Sequence, residues 1–443
     1  MGWKNAKIDS FNVNETPEHR EIRGQLRLSV MWNVVSKTVE RSLPEYSDND
    51  PDIPEAFFSD GTRIRSGRLG TSVIRIETER GRKHKCPHCG RMSPVYEFEE
   101  RTYTHVRDLG YDCTISVRVP KLDCNGCGRK LQIRFPAARP GVTYTKEFEK
   151  AVLTELLDNS ISGAAEKLGV GRWIAADILE YRVSRAIPEQ DLSGMTSVYV
   201  DEIQFGKGHD YITVFSNDDK KIVYMARGKG RDTIERFTEC LLAQGGHPDN
   251  IRVVSADMSK AFESGVKEFL RNATLVFDRF HLVQAINNDL NNVRKRTLRR
   301  GDDKLRHVKY TVLHRTENMS DVHRERLENI RMNNPELALA FDMKEAFCNI
   351  FLNDDVCEAL AEFGSWYSWV NECGCKEMKE RARKFAEKLD RILAWFDHRV
   401  NNGTAEAINS KIKKTKAQAC GYSDLRNFNA ICMFRHGNLT VTV

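Results

Sequence analysis

Apolar and polar residues alternate with a period of two between Tyr111 and Pro120. Ile115, Val117 and Val119 stand opposite Thr114, Ser116 and Arg118, which predicts a strand with one buried face. Gln25 to Val35 and Ser72 to Thr78 are further candidate strands, and the acidic, turn-rich stretch Glu45 to Pro54 is predicted as loop. The period changes after Lys146. Phe148, Val152, Leu153, Leu156 and Leu157 recur at helical spacing as far as Asp158-Asn159-Ser160. A short helix from Ser162 to Leu168, a turn holding Gly169 and a second helix from near Gly171 then form a helix-turn-helix pattern, with a plain helical bundle as the alternative.

Beyond a loop at Pro188 to Gly194, β-rich runs are predicted at Ser197 to Phe205, Asp210 to Ser216 and Lys221 to Ala226, the last two joined across Asn217-Asp218-Asp219. An amphipathic helix (Arg231 to Ala243) and short strands ending at Asp257 and Asp278 follow. This order of elements resembles an RNase H-like fold. The next stretch reads almost entirely as helix: Leu282 to Arg300, Leu305 to Thr316, Val322 to Met332, Glu336 to Leu352, Asp355 to Tyr367 and Glu377 to His398. It predicts an all-helical insertion, in which Trp366, Trp369 and Trp395 read as core, with stacking on nucleic-acid bases as the second reading.

Composition changes this picture little. At 443 residues the chain has room for several domains, and 40% hydrophobic with 30% charged residues fits a globular protein. No run approaches the roughly 18 apolar residues of a membrane helix, and the N-terminus lacks an apolar signal core, so a cytoplasmic protein without a membrane partner is expected. The net charge of +6 permits nucleic-acid binding without demanding it. Basic residues crowd Arg294 to Arg300, Lys379 to Lys388 and Lys411 to Lys416, runs that taken singly read as solvated helix faces.

Two motifs carry chemistry. Cys86-Pro-His-Cys89-Gly and Cys124-Asn-Gly-Cys127-Gly each let two thiols reach one ion, and the glycine after the second Cys relieves a tight turn. Together they predict a structural Zn²⁺ site in a zinc ribbon, with Cys113 spare and His84 or His88 as substitute ligands. The second motif is a set of acids. Asp201 lies within a predicted strand beside Glu202, and Asp257 directly ends another, so both can project from one sheet edge. A third acid, Glu406, follows 149 positions after Asp257 on a helix where Asn402, Glu406, Asn409, Lys413 and Lys416 share a face. Hard Mg²⁺ (or Mn²⁺) ions take carboxylate oxygens, and a pair of them activates the attacking oxygen and stabilises the leaving one in phosphoryl transfer. The amide and ammonium groups of that face, with Lys411, suit a DNA backbone nearby. An ordinary solvated face, with Glu406 pairing Lys413, is the alternative.

The C-P-x-C-G ribbon, the helix-turn-helix, V-D-E at Asp201, S-A-D-M at Asp257, V-F-D-R-F-H from Val276 to His281 and N-G-x-x-E-x-x-N-x-x-I-K from Asn402 to Lys413 together resemble the ISL-three family of bacterial insertion-sequence transposases. The resemblance spans roughly residues 70 to 437. It departs at Ala417 and Gln418, where the family usually carries two basic residues, and in the first 70 residues, which are longer than the family's usual start. It implies a multidomain α+β/α protein: an extension over 1–80, a zinc ribbon over 81–140, a helix-turn-helix over 141–190, an RNase H-like core over 191–300 and 399–443, and a helical insertion over 301–398. It implies Asp201, Asp257 and Glu406 as the catalytic triad, with Asp278 and His281 close by. It also implies binding of double-stranded DNA, at terminal inverted repeats and target, through the ribbon and through Arg172, Trp173 and Ala176 turned towards a major groove. Cleavage at the element end would be followed by attack of the freed 3′-hydroxyl on target DNA, in a dimer or larger synaptic assembly at the nucleoid. A domesticated DNA-binding protein or repressor without catalysis is the rival expectation, and a nuclease that cuts without joining is a second.

Overall fold

The computed structural model describes residues 16–28, 32–41, 56–57, 63–64, 70–78, 81, 83–108, 111–206, 208, 210–299, 307–398 and 403–442. Much of the expected N-terminal extension, including the loop from Glu45 to Pro54, lies outside them, as does Asn402. The chain is a mixed α/β protein of two compact units, Met1–Arg182 with Thr442–Val443, and Val183–Val441. No described helix is long and apolar enough to cross a membrane.

The first unit contains α1 (Pro17–Gln25), β1 (Trp32–Arg41), a hairpin of β2 (Ala56–Phe57) and β3 (Arg63–Ile64), β4 (Gly70–Thr78), the pair β5 (His84–Lys85) and β6 (Met92–Ser93), then β7 (Val95–Asp108), β8 (Tyr111–Asp123) and β9 (Lys130–Gln132). Its main sheet runs β1-β4-β8-β7, with β9 also on β8. The alternation read along β8 holds. Ile115, Val117 and Val119 are buried against Trp32, Val34, Ile74, Ile76 and Phe135, while Thr114, Ser116 and Arg118 are half-buried on the other face. The strand expected over Gln25 to Val35 is corrected at its start, because Gln25 closes α1; residues 29–31 lie outside the described residues, and β1 is described from Trp32. Helix wins there because Thr16 caps it, accepting from the His19 N–H at 3.2 Å, and Pro17 fits its first turn.

Three helices complete this unit: α2 (Lys146–Asp158), α3 (Ile161–Leu168) and α4 (Arg172–Ala186), the last ending in the second unit. Ser160 caps α3, and Gly169 at φ 68° ends it, so only three residues separate α3 from α4. Glu149 on α2 is completely buried, and the guanidinium groups of Arg139 and Arg182 hold its carboxylate. Arg139 also stacks on Tyr181 of α4 at 3.9 Å, which ties α2 to α4.

The second unit begins with β10 (Ser197–Gln204), β11 (Tyr211–Ser216), β12 (Ile222–Arg227), α5 (Arg231–Ala243), β13 (Val253–Ala256), α6 (Lys260–Phe269) and β14 (Thr274–Phe277). The sheet order is β12-β11-β10-β13-β14; the first three strands are antiparallel, and β13 and β14 run parallel to β10. Val198, Val200, Phe215, Val223 and Val254 bury one core against Ile234, Phe237 and Leu241 of α5 and Phe262 and Val266 of α6.

A helical array follows: α7 (Arg279–Arg299), α8 (Lys309–Leu313), α9 (Asp321–Asn333), α10 (Pro335–Ile350), α11 (Val356–Cys373), α12 (Lys376–Ala386) and α13 (Leu389–His398). Helix α10 is buried around much of its circumference, through Leu337, Phe341, Met343, Phe347 and Ile350. Two of the basic runs are staples here rather than solvated faces. Arg296 pairs with both Glu336 and Glu377 (2.7 and 2.8 Å), joining α7, α10 and α12, and Arg381 pairs with Asp289 at 2.5 Å. The single helix expected over Glu377 to His398 breaks into α12 and α13, which lets Lys388 and Arg391 both grip Glu263 of α6, the latter at 2.8 Å. Of the helix expected over Leu305 to Thr316, residues 305–306 lie outside the described residues, and the described part is α-helical only over the short α8. Last come α14 (Gly403–Gln418) and α15 (Leu425–His436).

Candidate active site

Strand register gathers the acids. Ser197 pairs with Val253 and Tyr199 with Ser255, while Val253 pairs with Thr274 and Ala256 with Phe277. Carried on along the three parallel strands, the same register sets Asp201, Asp257 and Asp278 side by side at one level. The Asp278 N–H donating to the Ala256 carbonyl at 2.9 Å continues the ladder to that point. Because residues in register share a face, Asp201 within β10 stands level with Asp257 and Asp278, which directly follow the ends of β13 and β14.

Helix α14 closes this end. Ile408, Ile412 and Thr415 form its buried stripe. On the neighbouring face, Asn409 donates its amide to Asp201 Oδ2, and Lys416 donates to the Gln204 and Phe205 carbonyls at 3.0 and 2.7 Å. Lys416 therefore fastens α14 to the end of β10, whereas Lys411, Lys413 and Lys414 are exposed. Glu406 is exposed in the first turn of α14, where the helix dipole favours a carboxylate. Its charge is felt by Asp278.

His281, in the first turn of α7, stands between two acids, with Nε2 at 3.7 Å from both Asp201 Oδ1 and Asp278 Oδ2. Burial works against its charged form, yet Asp201, Asp278 and Asp257 prevail and push its pKa up to about 9, so it is an imidazolium at neutral pH. Burial, then the neighbouring acids, push Asp278 up to about 6 and Glu202 up to about 7, and raise Asp257. Lys229 and Lys388 oppose the rise at Asp257, a part for these lysines that sequence reading missed because nothing in their spacing marks them. Asp257 Oδ1 and Asn409 Oδ1 are buried without a hydrogen-bond partner. A buried, unpartnered carboxylate oxygen among like charges is unfavourable unless a cation takes it, so these residues fit a divalent ion. Asp201, Asp257 and Glu406 do not bring three ligand oxygens within 4.8 Å of one another: among the described residues, the group that does so is the cysteine quartet.

That quartet is Cys86, Cys89, Cys124 and Cys127. Sulfurs of Cys86 and Cys127 lie 3.8 Å apart and those of Cys89 and Cys124 3.4 Å apart. Tetrahedral zinc thiolates have edges of about 3.8 Å. The two knuckles repeat one backbone pattern. Gly90 donates to the Cys86 carbonyl and Gly128 to that of Cys124 (2.9 and 2.7 Å), with φ of 74° and 66° that only glycine adopts readily. Cys113 belongs to the sheet core, and neither His84 nor His88 is among the four. Elsewhere in the same unit Arg172 and Trp173 are exposed at the start of α4, while Ala176 is half-buried.

The sequence profile of the ISL-three family, described as "Transposase", matches residues 198–432, and the chain belongs to that family of insertion-sequence transposases. The stretch matched runs from β10 to α15. The chain is similar, at 24% identity over 354 residues, to the transposase for insertion sequence element IS1001 of Bordetella parapertussis, covering 77% of this chain and 86% of that protein. It is also similar, at 22% identity over 416 residues, to the transposase for insertion sequence element IS1557 of Mycobacterium tuberculosis, covering 87% and 91%.

Proposed function

We propose that this chain is a DDE transposase that binds the terminal inverted repeats of an insertion sequence, cuts DNA at the element end and joins that end to target DNA. The level register of Asp201 and Asp257, with α14 bringing Asn409 to Asp201, carries the reading. The strand order of the second unit supports an RNase H-like core with the α8–α13 helices inserted before its last catalytic helix. Asp201, Asp257 and Glu406 would hold the divalent ions, which supply charge neutralisation on the attacking and leaving oxygens. Asn409 orients the Asp201 carboxylate, and Lys416 fixes the helix that carries Glu406. His281 restrains Asp201 and Asp278 from the α7 side.

In the first step a water oxygen attacks phosphorus, the P–O3′ bond breaks, and the departing oxygen takes a proton to become a 3′-hydroxyl. In the second, that hydroxyl attacks a target phosphodiester and the target's own 3′-oxygen leaves. Lys411 and Lys413 contact the DNA backbone. The cysteine quartet holds Zn²⁺, and the ribbon with α3 and α4 recognises the repeats, Arg172 and Trp173 facing the groove. The protein works in the cytoplasm, as at least a dimer, because two ends must be brought together. Labelled element ends incubated with the protein and Mg²⁺ test this. Wild type should release a 3′-hydroxyl end and join it to plasmid, while Asp201→Asn and Glu406→Gln should bind ends and leave them uncut. Cutting by Asp201→Asn would refute the site.

A further inference from the structure

We propose that Phe280 stacks on a DNA base next to the phosphate being cut, an inference that rests on the transposase reading above. Phe280 follows Asp278 by two residues, and its N–H donates to Asp278 Oδ1 at 2.8 Å, so its backbone is fixed to the acid cluster. Its ring meets the His281 imidazole edge-on, centroids 5.6 Å apart, and that imidazole touches both Asp201 and Asp278. The other side chains of this turn are engaged. Arg279 lies over the Phe351 and Trp395 rings at 5.3 and 5.9 Å, and Leu282 is sealed in the insertion core. Phe280 alone of that turn keeps a large apolar surface in water, at 45% exposure.

A single exposed apolar residue is ordinary on a protein surface, so position decides the matter. The tryptophans that sequence offers for base stacking are used otherwise. Trp366 is buried and donates to the Met343 carbonyl, and Trp369 and Trp395 pack on the same core. Tyr310, the other strongly exposed aromatic among the described residues of this unit, stands on α8 among helices of the insertion. Every base offers a π-face, so a phenyl ring beside the acids can hold an unstacked base without reading sequence, and the strand can then bend its phosphate towards the carboxylates.

The test uses full-length protein and element ends carrying 2-aminopurine, moved one nucleotide at a time across the cleavage position. Binding is followed in Ca²⁺ and cutting in Mg²⁺. Wild type should change the probe's emission at one position, and Phe280→Ala should abolish that change and slow cutting by about 5- to 150-fold, as expected for loss of one stacked base. Phe280→Trp and Phe280→Tyr should retain both, and Phe280→Leu should behave like the alanine variant. If leucine restores cutting to the level of tryptophan, the ring serves packing and the proposal fails. It also fails if alanine cuts at the wild-type rate with the emission change intact, whereas cutting by Asp201→Asn would overturn the parent reading instead.

Discussion

Replacing Asp278 with asparagine should stabilise the protein in chelator at neutral pH. The carboxyl is 5% exposed, and burial lifts it from an ordinary 3.8 to about 6. Below 3.8 the group is neutral whether the chain is folded or not, and it costs nothing. Between 3.8 and about 6 only the folded chain keeps its proton, so stability falls as pH rises, and above about 6 the full cost is present. That gap corresponds to a cost on the order of 3 kcal/mol at pH 7.5. Asparagine removes the charge yet can still accept from the Phe280 N–H. Part of the gain is returned because His281 loses one of its acidic partners, which leaves a net stabilisation of about 1–2 kcal/mol. Urea unfolding in EDTA, followed by circular dichroism, measures it. The gain should stay level from pH 7.5 to above about 6 and shrink as pH falls from about 6 towards 4. Excess Mg²⁺ should stabilise wild type more than the variant, since ligand binding favours the fold. A variant less stable than wild type at pH 7.5 in EDTA, or a gain independent of pH, would refute this electrostatic reasoning.

Other outcomes follow from the same structure. One Zn²⁺ per chain should be released by a thiol-blocking reagent in a colorimetric assay, and Cys124→Ser should lose both the metal and binding to element ends; a protein that binds ends without zinc contradicts the ribbon assignment. Ile412→Ala, at a fully buried position of α14, should cost about 2–5 kcal/mol and slow cutting by displacing Glu406, read by denaturation and by the end-cutting assay. His436 is pushed down to about 4 by burial and by Lys411, Arg435 and Lys221. Because its folded pKa lies below the unfolded value near 6.5, its contribution is complete above 6.5 and is lost as pH falls towards 4. The α15 region should therefore loosen in that window, and His436→Gln should remove the transition in hydrogen exchange.

Sequence periodicity carried far wherever one face of an element is buried. The alternation of Ile115, Val117 and Val119 located β8, and the helical spacing from Phe148 to Leu156 located α2. Cysteine spacing found the quartet because two residues between thiols leave few other geometries. Asp201 was legible within a strand and Asp257 and Asp278 as strand ends, but their common level depends on strand register, which local sequence does not encode. Hidden too were contacts across the fold. Arg296 and Lys388 read as surface charge because their partners, Glu336, Glu377 and Glu263, lie far away in the chain. Gln25 misled because a cap at Thr16 and a proline outweighed its β-prone neighbours.

Metal-dependent rescue tests the central arrangement most directly. Cysteine at position 201, 257 or 406 should leave an enzyme that cuts element ends poorly in Mg²⁺ and markedly better in Mn²⁺, since a thiolate suits the softer ion. If Asp201→Cys, Asp257→Cys and Glu406→Cys instead cut in Mg²⁺ at the wild-type rate, these three side chains do not hold the ions.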